Sequence, residues 1–504
     1  MRLLPFVALL ILFFPSQFKA AELSDASSEC LDCHASIVPG MVAGWQSSRH
    51  ARVSPLEALK KPELERRVSA KSVPSDLAQS VVGCAECHTL NPEKHSDTFE
   101  HNGYQVHIVV TPEDCAICHP VEEKQYGQNL MSHAYGNLLN NSLYQDLVQT
   151  INGVQFLDDG HISIKPASTE TNGDSCLSCH GTKVEVKGFE VRETEIGEEM
   201  EFPVLSGWPN NGVGRINPDG SKGSCSSCHT WHRFSIEMAR KPHTCSQCHK
   251  GLDVPIYKIY QVSKHGNIYS SIGKKWNFEE VPWTVGEDFT APTCATCHVS
   301  LVVTPEGDVV AERTHQMNNR LPWRIFGLIY AHAHPKSPDT SVIKNKAGLP
   351  LPTDLSGEPA SKYLIDNSEQ QERRKTLQQV CLSCHTQQWV DGHWARFENT
   401  IKTTNEMTVT ATELMLKAWE TGAAKGLAQN DSIFNEAIEK KWMEQWLFYA
   451  NSTRMSSAML GTDYGVFDNG RWYMAKSIQE IYDWLRMMLA VNSETSIEGK
   501  LKKK

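Results

Sequence analysis

The chain has 504 residues, 40% of them hydrophobic, and carries 59 acidic against 49 basic side chains for a net charge of −10. That balance excludes nucleic-acid binding as a main role, since such binding needs a basic face. All 16 cysteines fall in one repeated pattern, which excludes a disulfide framework.

The first stretch reads as an export signal over residues 1–21. Arg2 supplies a short positive region, Leu3 to Phe14 is almost wholly apolar, and cleavage is expected near Ala20 or Ala21. The run is too short to span a bilayer comfortably, so an uncleaved anchor is the lesser alternative. The mature protein is expected in the periplasm or otherwise outside the cytoplasm, without a membrane span.

From there the pattern Cys-x-x-Cys-His recurs eight times. The copies are Cys30, Cys33 and His34; Cys84, Cys87 and His88; Cys115, Cys118 and His119; Cys176, Cys179 and His180; Cys225, Cys228 and His229; Cys245, Cys248 and His249; Cys294, Cys297 and His298; and Cys381, Cys384 and His385. A zinc half-site or a thiol redox pair needs no histidine directly after the second cysteine. Covalent c-type haem attachment does: two thiols become thioethers and the next histidine binds the iron. Eight haems, with their iron, are the expected cofactors, and they supply much of the apolar interior.

Spacing divides the chain. Residues 22–345 carry seven motifs among loops and short helices, and residues 346–504 carry the eighth in a helical region. Val184, Val186, Phe189 and Val191 suggest a small strand pair, followed by a turn-dense loop from Trp208 to Gly220. Pro335, Pro338, Pro350, Pro352 and Pro359 mark a wrapping linker. Phe434, Ile438, Trp442, Trp446 and Tyr449 then repeat at helical spacing, with Asp431 or Ser432 as N-cap. Ile478, Ile481, Leu485 and Met488 mark a last amphipathic helix. Lys500 and Lys502 to Lys504 read as a solvated tail. The fold class is mainly α, a multihaem cytochrome c with a haem-packed, loop-rich N-terminal region and a helical C-terminal one.

The chain has 21 histidines; the motifs use 8 and leave 13 for the far side of the irons. Electron-carrying haems are usually six-coordinate, whereas a haem that does chemistry keeps a position open. His50, His133, His232, His265 and His315 are the first candidates for distal ligands. His95, His101 and His107 cluster before the third motif, with His101 taken as a ligand. His161, His243, His332, His334 and His393 rank below these.

The run from Cys225 through His232 to Ser235, the run from Ala239 to Asp253, Ser263-Lys-His-Gly266, Ala291 to His298, and Thr314-His315 together resemble octahaem hydroxylamine oxidoreductase and its relatives. The likeness covers all eight motifs and the helical C-terminal region. It implies seven bis-histidine haems, a five-coordinate catalytic haem on Cys176, Cys179 and His180, and a trimer. Three departures stand out. The Asp-His pair of the hydroxylamine-oxidising members reads Asp253-Val254 here. Their pocket tyrosine falls on Phe326, with Tyr330 nearby. The tyrosine that cross-links a neighbouring subunit to the catalytic haem falls on Phe467, with Tyr464 three residues away. Relatives lacking that tyrosine are regarded as reductases. The implied activity is reduction of nitrite or hydroxylamine toward ammonium, with Asp253 handling protons and a redox partner protein or quinol-linked cytochrome as donor. Oxidation of hydroxylamine or hydrazine, and a purely electron-conducting role, are the alternatives.

Overall fold

The computed structural model describes residues 22–194 and 197–501; the expected signal segment and Lys502 to Lys504 lie outside these residues. The architecture is mainly α, with short hairpins between short helices, and then a bundle of longer helices. Most haem motifs occupy single helical turns, including Ala85–His88, Cys176–His180, Ser226–His229 and Cys294–His298. One turn is what the motif needs. Positions i, i+3 and i+4 share a helix face, so both thiols and the imidazole point the same way. Prolines start several of the short helices at Pro112, Pro120 and Pro242, where a missing N–H costs nothing.

The expected strand pair forms as Glu185–Glu193 against Glu199–Ser206, antiparallel, with a bulge between Val186 and Gly188. Two smaller hairpins pair Phe99–His101 with Tyr104–Val106 and Val154–Asp158 with His161–Lys165. A three-stranded sheet of Trp283–Thr284, Val302–Val303 and Val309–Ala311 buries Trp283 and Val302 completely, with the Trp283 and Phe289 ring centres 4.2 Å apart.

The proline-punctuated segment has almost no regular structure and is tied down by side chains. Asn345 donates to the Thr353 carbonyl, Asn141 donates to the Pro350 carbonyl, and the Tyr330 hydroxyl donates to the Leu355 carbonyl. Each contact satisfies a loop carbonyl that no ladder serves.

Asn367–Leu382 leads into the eighth motif, and Gln387–Glu420 follows as a 34-residue helix. Its buried Thr404, Thr408 and Thr412 each return a hydroxyl hydrogen bond to the carbonyl one turn earlier. Trp419, Phe434, Trp442, Trp446, Ile481 and Leu485 form the core of the bundle, together with Leu143 and Leu147 of Ser142–Asn152. The core therefore bridges the boundary expected at residue 345. Two of its indoles find partners: Trp442 donates to Thr412 and Trp419 donates to Glu439.

One expected helix start moves. The helix runs Ala437–Met443, with Glu436 capped through Glu439, and widens to a π-helix over Glu444–Ala450. Asp431 instead spends its carboxylate on the Ser432 N–H and the Asn435 amide, and so does not cap a helix. The last helix, Arg471–Leu501, buries Met474, Ile481 and Leu485 as its periodicity predicts. Among the described residues, no helix is long and apolar enough to cross a membrane.

Candidate haem sites and the fourth motif

All 16 cysteines are free of disulfides. Whether their surroundings fit haem can be tested on the imidazoles. Two imidazoles bound to one metal from opposite sides, with bonds of about 2.0–2.1 Å, hold their ring centres about 6.3 Å apart. His34 and His101 stand 6.0 Å apart, His119 and His50 6.4 Å, His229 and His315 6.3 Å, and His385 and His265 6.2 Å. These spacings, too long for contact and too regular for chance, match an iron between each pair. The residues fit the group.

His88 has two neighbours, His107 at 6.1 Å and His232 at 6.5 Å. Its Nδ1 lies 2.8 Å from the His107 carbonyl oxygen. That bond turns Nε2 away from His107 and selects His232 as the residue that would face it across an iron. His133 does not enter such a pair: its Nε2 lies 3.1 Å from the Gly127 carbonyl. His332 and His334 are buried and turn Nδ1 to the carbonyls of Ala333 and Pro335, leaving Nε2 free. Sequence reasoning ranked this pair low because nothing local distinguishes them. His243 packs between Tyr257 and Tyr269, His393 stacks on Trp389, and His161 sits in an exposed hairpin.

The thiols map which motifs are neighbours. Cys115 lies close enough to Cys225 to shift its titration, as do Cys248 and Cys179, and Cys245 and Cys294. Cys84 feels the charge of Cys30, Cys87 that of Cys118, Cys228 that of Cys245, and Cys297 that of Cys381. The motifs thus run first, second, third, fifth, sixth, seventh, eighth in space, and the fourth joins at the sixth.

The fourth motif sits in a cradle that only glycine permits. Val213 donates its N–H to the Cys179 carbonyl, and Asn210 donates to Leu177 while accepting from the Thr182 N–H. A Cβ on Gly214 would stand 2.6 Å from the His180 carbonyl oxygen, and one on Gly212 2.3 Å from the Gly181 nitrogen. The turn-dense loop from Trp208 to Gly220 therefore lies directly against this motif. Arg215, 1% exposed, pins it: the guanidinium donates to Asn217 and to the Asn210 carbonyl and lies 5.5 Å from the Trp208 ring centre. Burial pushes its pKa down to about 10.

His180 turns Nδ1 toward the Ala134 carbonyl at 3.3 Å. Among the described residues no histidine ring pairs with it at the spacing above; the same holds for His249 and His298. Burial lowers the His180 pKa, the Ala134 carbonyl and Asp253 oppose this, and Arg324 reinforces it. One carboxylate and one guanidinium therefore act on this site. Asp253 is exposed, its backbone carbonyl accepts from Asn451, and its charge also reaches Cys176 and Cys179. Arg324 lies over the Phe326 ring at 4.9 Å, and the fully buried Arg454 donates to the Ile325 carbonyl. Arg324, Asn451 and Arg454 escaped sequence reasoning; the signal available was that Arg324 lies two residues from the expected pocket position. Tyr330 belongs to the bundle core, 1% exposed, and does not stand in for the pocket tyrosine. Phe467 is 68% exposed near the start of the last helix, and Tyr464 is half-buried.

A family model described as seven times multi-haem cytochrome CxxCH matches residues 217–323. A curated protein of Kuenenia stuttgartiensis, a probable nitrite reductase-hydroxylamine oxidoreductase fusion protein, is 25% identical over 385 residues. The match covers 73% of this chain and 34% of that protein, so the chain spans about a third of that relative's length. A solved structure described as a hypothetical multiheme protein is 40% identical, with a TM-score of 0.87, covering 94% of this chain and 98% of that one. A Kuenenia stuttgartiensis reducing HAO-like protein complex shares the fold at a TM-score of 0.61 and 17% identity, over 94% and 87% of the two chains.

Proposed function

The chain belongs to the hydroxylamine oxidoreductase-like multihaem cytochromes c, a family of oxidoreductases with covalently bound c-type haem, and we propose that it reduces nitrite or hydroxylamine toward ammonium at the fourth motif. Eight haems would be held by the eight motifs. The distal partners would be His101, His232, His50, His315 and His265 for the first, second, third, fifth and eighth. His133, which stands opposite no proximal ring, and the buried His332 and His334 are the candidates left for the sixth and seventh.

The observation that carries this reading is the setting of His180: like His249 and His298 it has no imidazole opposite, and it alone of the three has the charges of both Asp253 and Arg324 acting on it. The haem on Cys176, Cys179 and His180 would supply electrons and an open position for the substrate nitrogen. Arg324 would attract the anion and offset its negative charge. Asp253 would deliver protons as each oxygen leaves as water. Val254, in place of a histidine, leaves Asp253 to do this through solvent, which its exposure allows. The Ala134 carbonyl would orient His180 and raise its basicity as a ligand.

Direction is argued from Phe467, which has no phenol oxygen with which to form a haem cross-link. Distortion of the macrocycle is one lever by which a protein tunes haem, and this chain would do without it. Exposed Phe467, Trp472, Met487 and Val491 form an apolar surface on and beside the last helix, suited to burial against other copies in a trimer. Export through the N-terminal signal would place the protein where c-type haem is attached and where a cytochrome or other redox partner could feed it.

The test is steady-state turnover of purified haem-loaded protein with nitrite and a low-potential dye. Ammonium formation at a rate well above hydroxylamine oxidation is expected. Brisk hydroxylamine oxidation without nitrite turnover would reverse the direction and point to Tyr464. Absence of any high-spin haem signal would leave only electron conduction.

A further inference from the structure

A second cluster of ligating side chains lies away from the fourth motif. His95 and His107 flank the hairpin Phe99–Val106, and Asp114 precedes the first cysteine of the third motif. His95 Nε2 stands 3.2 Å from one Asp114 oxygen, and His107 Nε2 stands 3.6 Å from the other. On the far side of His95, Nδ1 lies 3.6 Å from Asp97. All four residues are buried, His107 and Asp97 completely.

The cluster is unbalanced without a further cation. Two buried carboxylates carry two negative charges. Burial acts most strongly on both and disfavours their charge; what opposes it is the two imidazoles and N–H groups of Asn91, Thr111 and Val109, with no lysine or arginine among these. A proton on His95 neutralises one charge. Burial would lower its pKa, but the carboxylates of Asp114 and Asp97 outweigh that and raise it to about 9. Yet both ring nitrogens of His107 stay without a hydrogen-bond partner in a site closed to water. Buried polar atoms are seldom orphaned, and each costs about 1–3 kcal/mol. Protonating His95 leaves that cost in place.

We propose that His95, His107 and Asp114 bind a divalent first-row metal ion of the zinc class, with Asp97 orienting His95. The donor set is imidazole nitrogen and carboxylate oxygen, which suits such an ion. Both Nε2 atoms face the same carboxylate, and the ligand atoms lie within 4.8 Å of one another. Asp97, 3.6 Å from Nδ1, stands where the carboxylate of a carboxylate–histidine–metal relay would fix the ligating tautomer once the two close on each other. Asn91 and the Thr111 N–H hold the Asp114 carboxylate in turn. A doubly charged ion balances the two carboxylates and gives His107 a partner. The imidazoles stack with centres 3.6 Å apart, and ligation opens that stack because bonds to one ion diverge. Enclosure on all sides makes the ion structural: it ties the hairpin to the third motif and, through the His107 backbone, steadies His88.

The experiment is metal analysis of the haem-loaded protein, expressed in zinc-replete medium and isolated without chelator, with haem counted separately. About one equivalent of zinc per chain is expected beyond the haem iron. It should fall at least about tenfold in both His107→Gln and His95→Asn, with haem content retained. Asp97→Asn should hold zinc more weakly, losing it to dipicolinate at lower concentration. Only trace zinc in the wild type overturns the proposal. So does zinc retained at full stoichiometry in both histidine variants, which would place it elsewhere. If one variant fails to accumulate, the other and the wild-type stoichiometry decide.

Discussion

His88 directs its Nδ1 at the His107 carbonyl oxygen, 2.8 Å away, and the His107 N–H returns a bond to the His88 carbonyl at 2.9 Å. The two backbones are clamped together while the His107 ring is turned toward Asp114. Of the two imidazoles near His88, only His232 is then placed to reach its Nε2. His232→Ala should convert one haem to a high-spin ferric form, read by electron paramagnetic resonance. His107→Ala should leave the low-spin count unchanged.

The cradle behind the fourth motif makes a paired prediction on glycine. Gly214→Ala forces a methyl within 2.6 Å of the His180 carbonyl and 2.7 Å of the Tyr135 nitrogen, both backbone atoms that cannot step aside. Destabilisation of about 1–3 kcal/mol is expected, with nitrite turnover lost along with it. Gly173→Ala, in the helix just before, meets nothing within 4 Å. It should be neutral or stabilising by up to about 1 kcal/mol. Thermal unfolding of the two variants beside the wild type checks both.

Asp253→Asn keeps the shape of the side chain and removes its proton. The rate of nitrite reduction at saturation should fall by about 100-fold, with little change in KM, and the acidic limb of the rate profile should flatten. A loop aspartate that merely holds backbone would move neither the profile nor the rate to this extent.

Glu439 lies fully inside the bundle, and burial raises its pKa to about 7 against the opposing hydrogen bonds of the Glu436 N–H and the Trp419 indole. A carboxyl whose folded pKa lies above its unfolded value of 4.5 binds more protons folded than unfolded. Its stabilising contribution is complete below about pH 4.5 and is lost as pH rises through about 7. Calorimetry between these limits should show the wild type losing on the order of 2 kcal/mol, after allowance for screening. Glu439→Gln should remove that slope.

Phe467→Tyr restores a phenol at the exposed position before the last helix. In the proposed trimer it should yield haem that stays bound to two chains in denaturing gels, and a shift away from the proposed nitrite reduction. Phe467→Leu, with no oxygen, should do neither.

Much of this was legible from spacing. The motifs announce themselves, the hairpin at Glu185–Ser206 follows from its alternating valines, and the last helix follows from Ile478, Ile481 and Leu485. Histidines just after polar or basic residues, such as His50 and His265, do stand opposite proximal rings. What stayed hidden depends on competition between neighbours and, for Arg324, on a distant segment. His133 looks like the others in sequence, but its Nε2 faces the Gly127 carbonyl and no proximal ring stands opposite it. Asp431 and Ser432 are good caps in isolation, yet Glu436 and Glu439 form the reciprocal pair that starts the helix. Arg324 gains meaning only because chain 148 residues beyond Cys176 folds back beside the fourth motif.

The Cys179–Cys248 contact joins the fourth motif to the sixth and passes over the fifth. Synthesis delivers the motifs in sequence order, so the fourth must wait for two more to emerge before its neighbour exists. A nascent chain halted between His229 and Cys245 would display the fourth motif without the neighbour through which it meets the others. Order of synthesis and order in space follow different itineraries through one polypeptide, and the fourth motif gains its neighbour only when a later stretch has folded back against it.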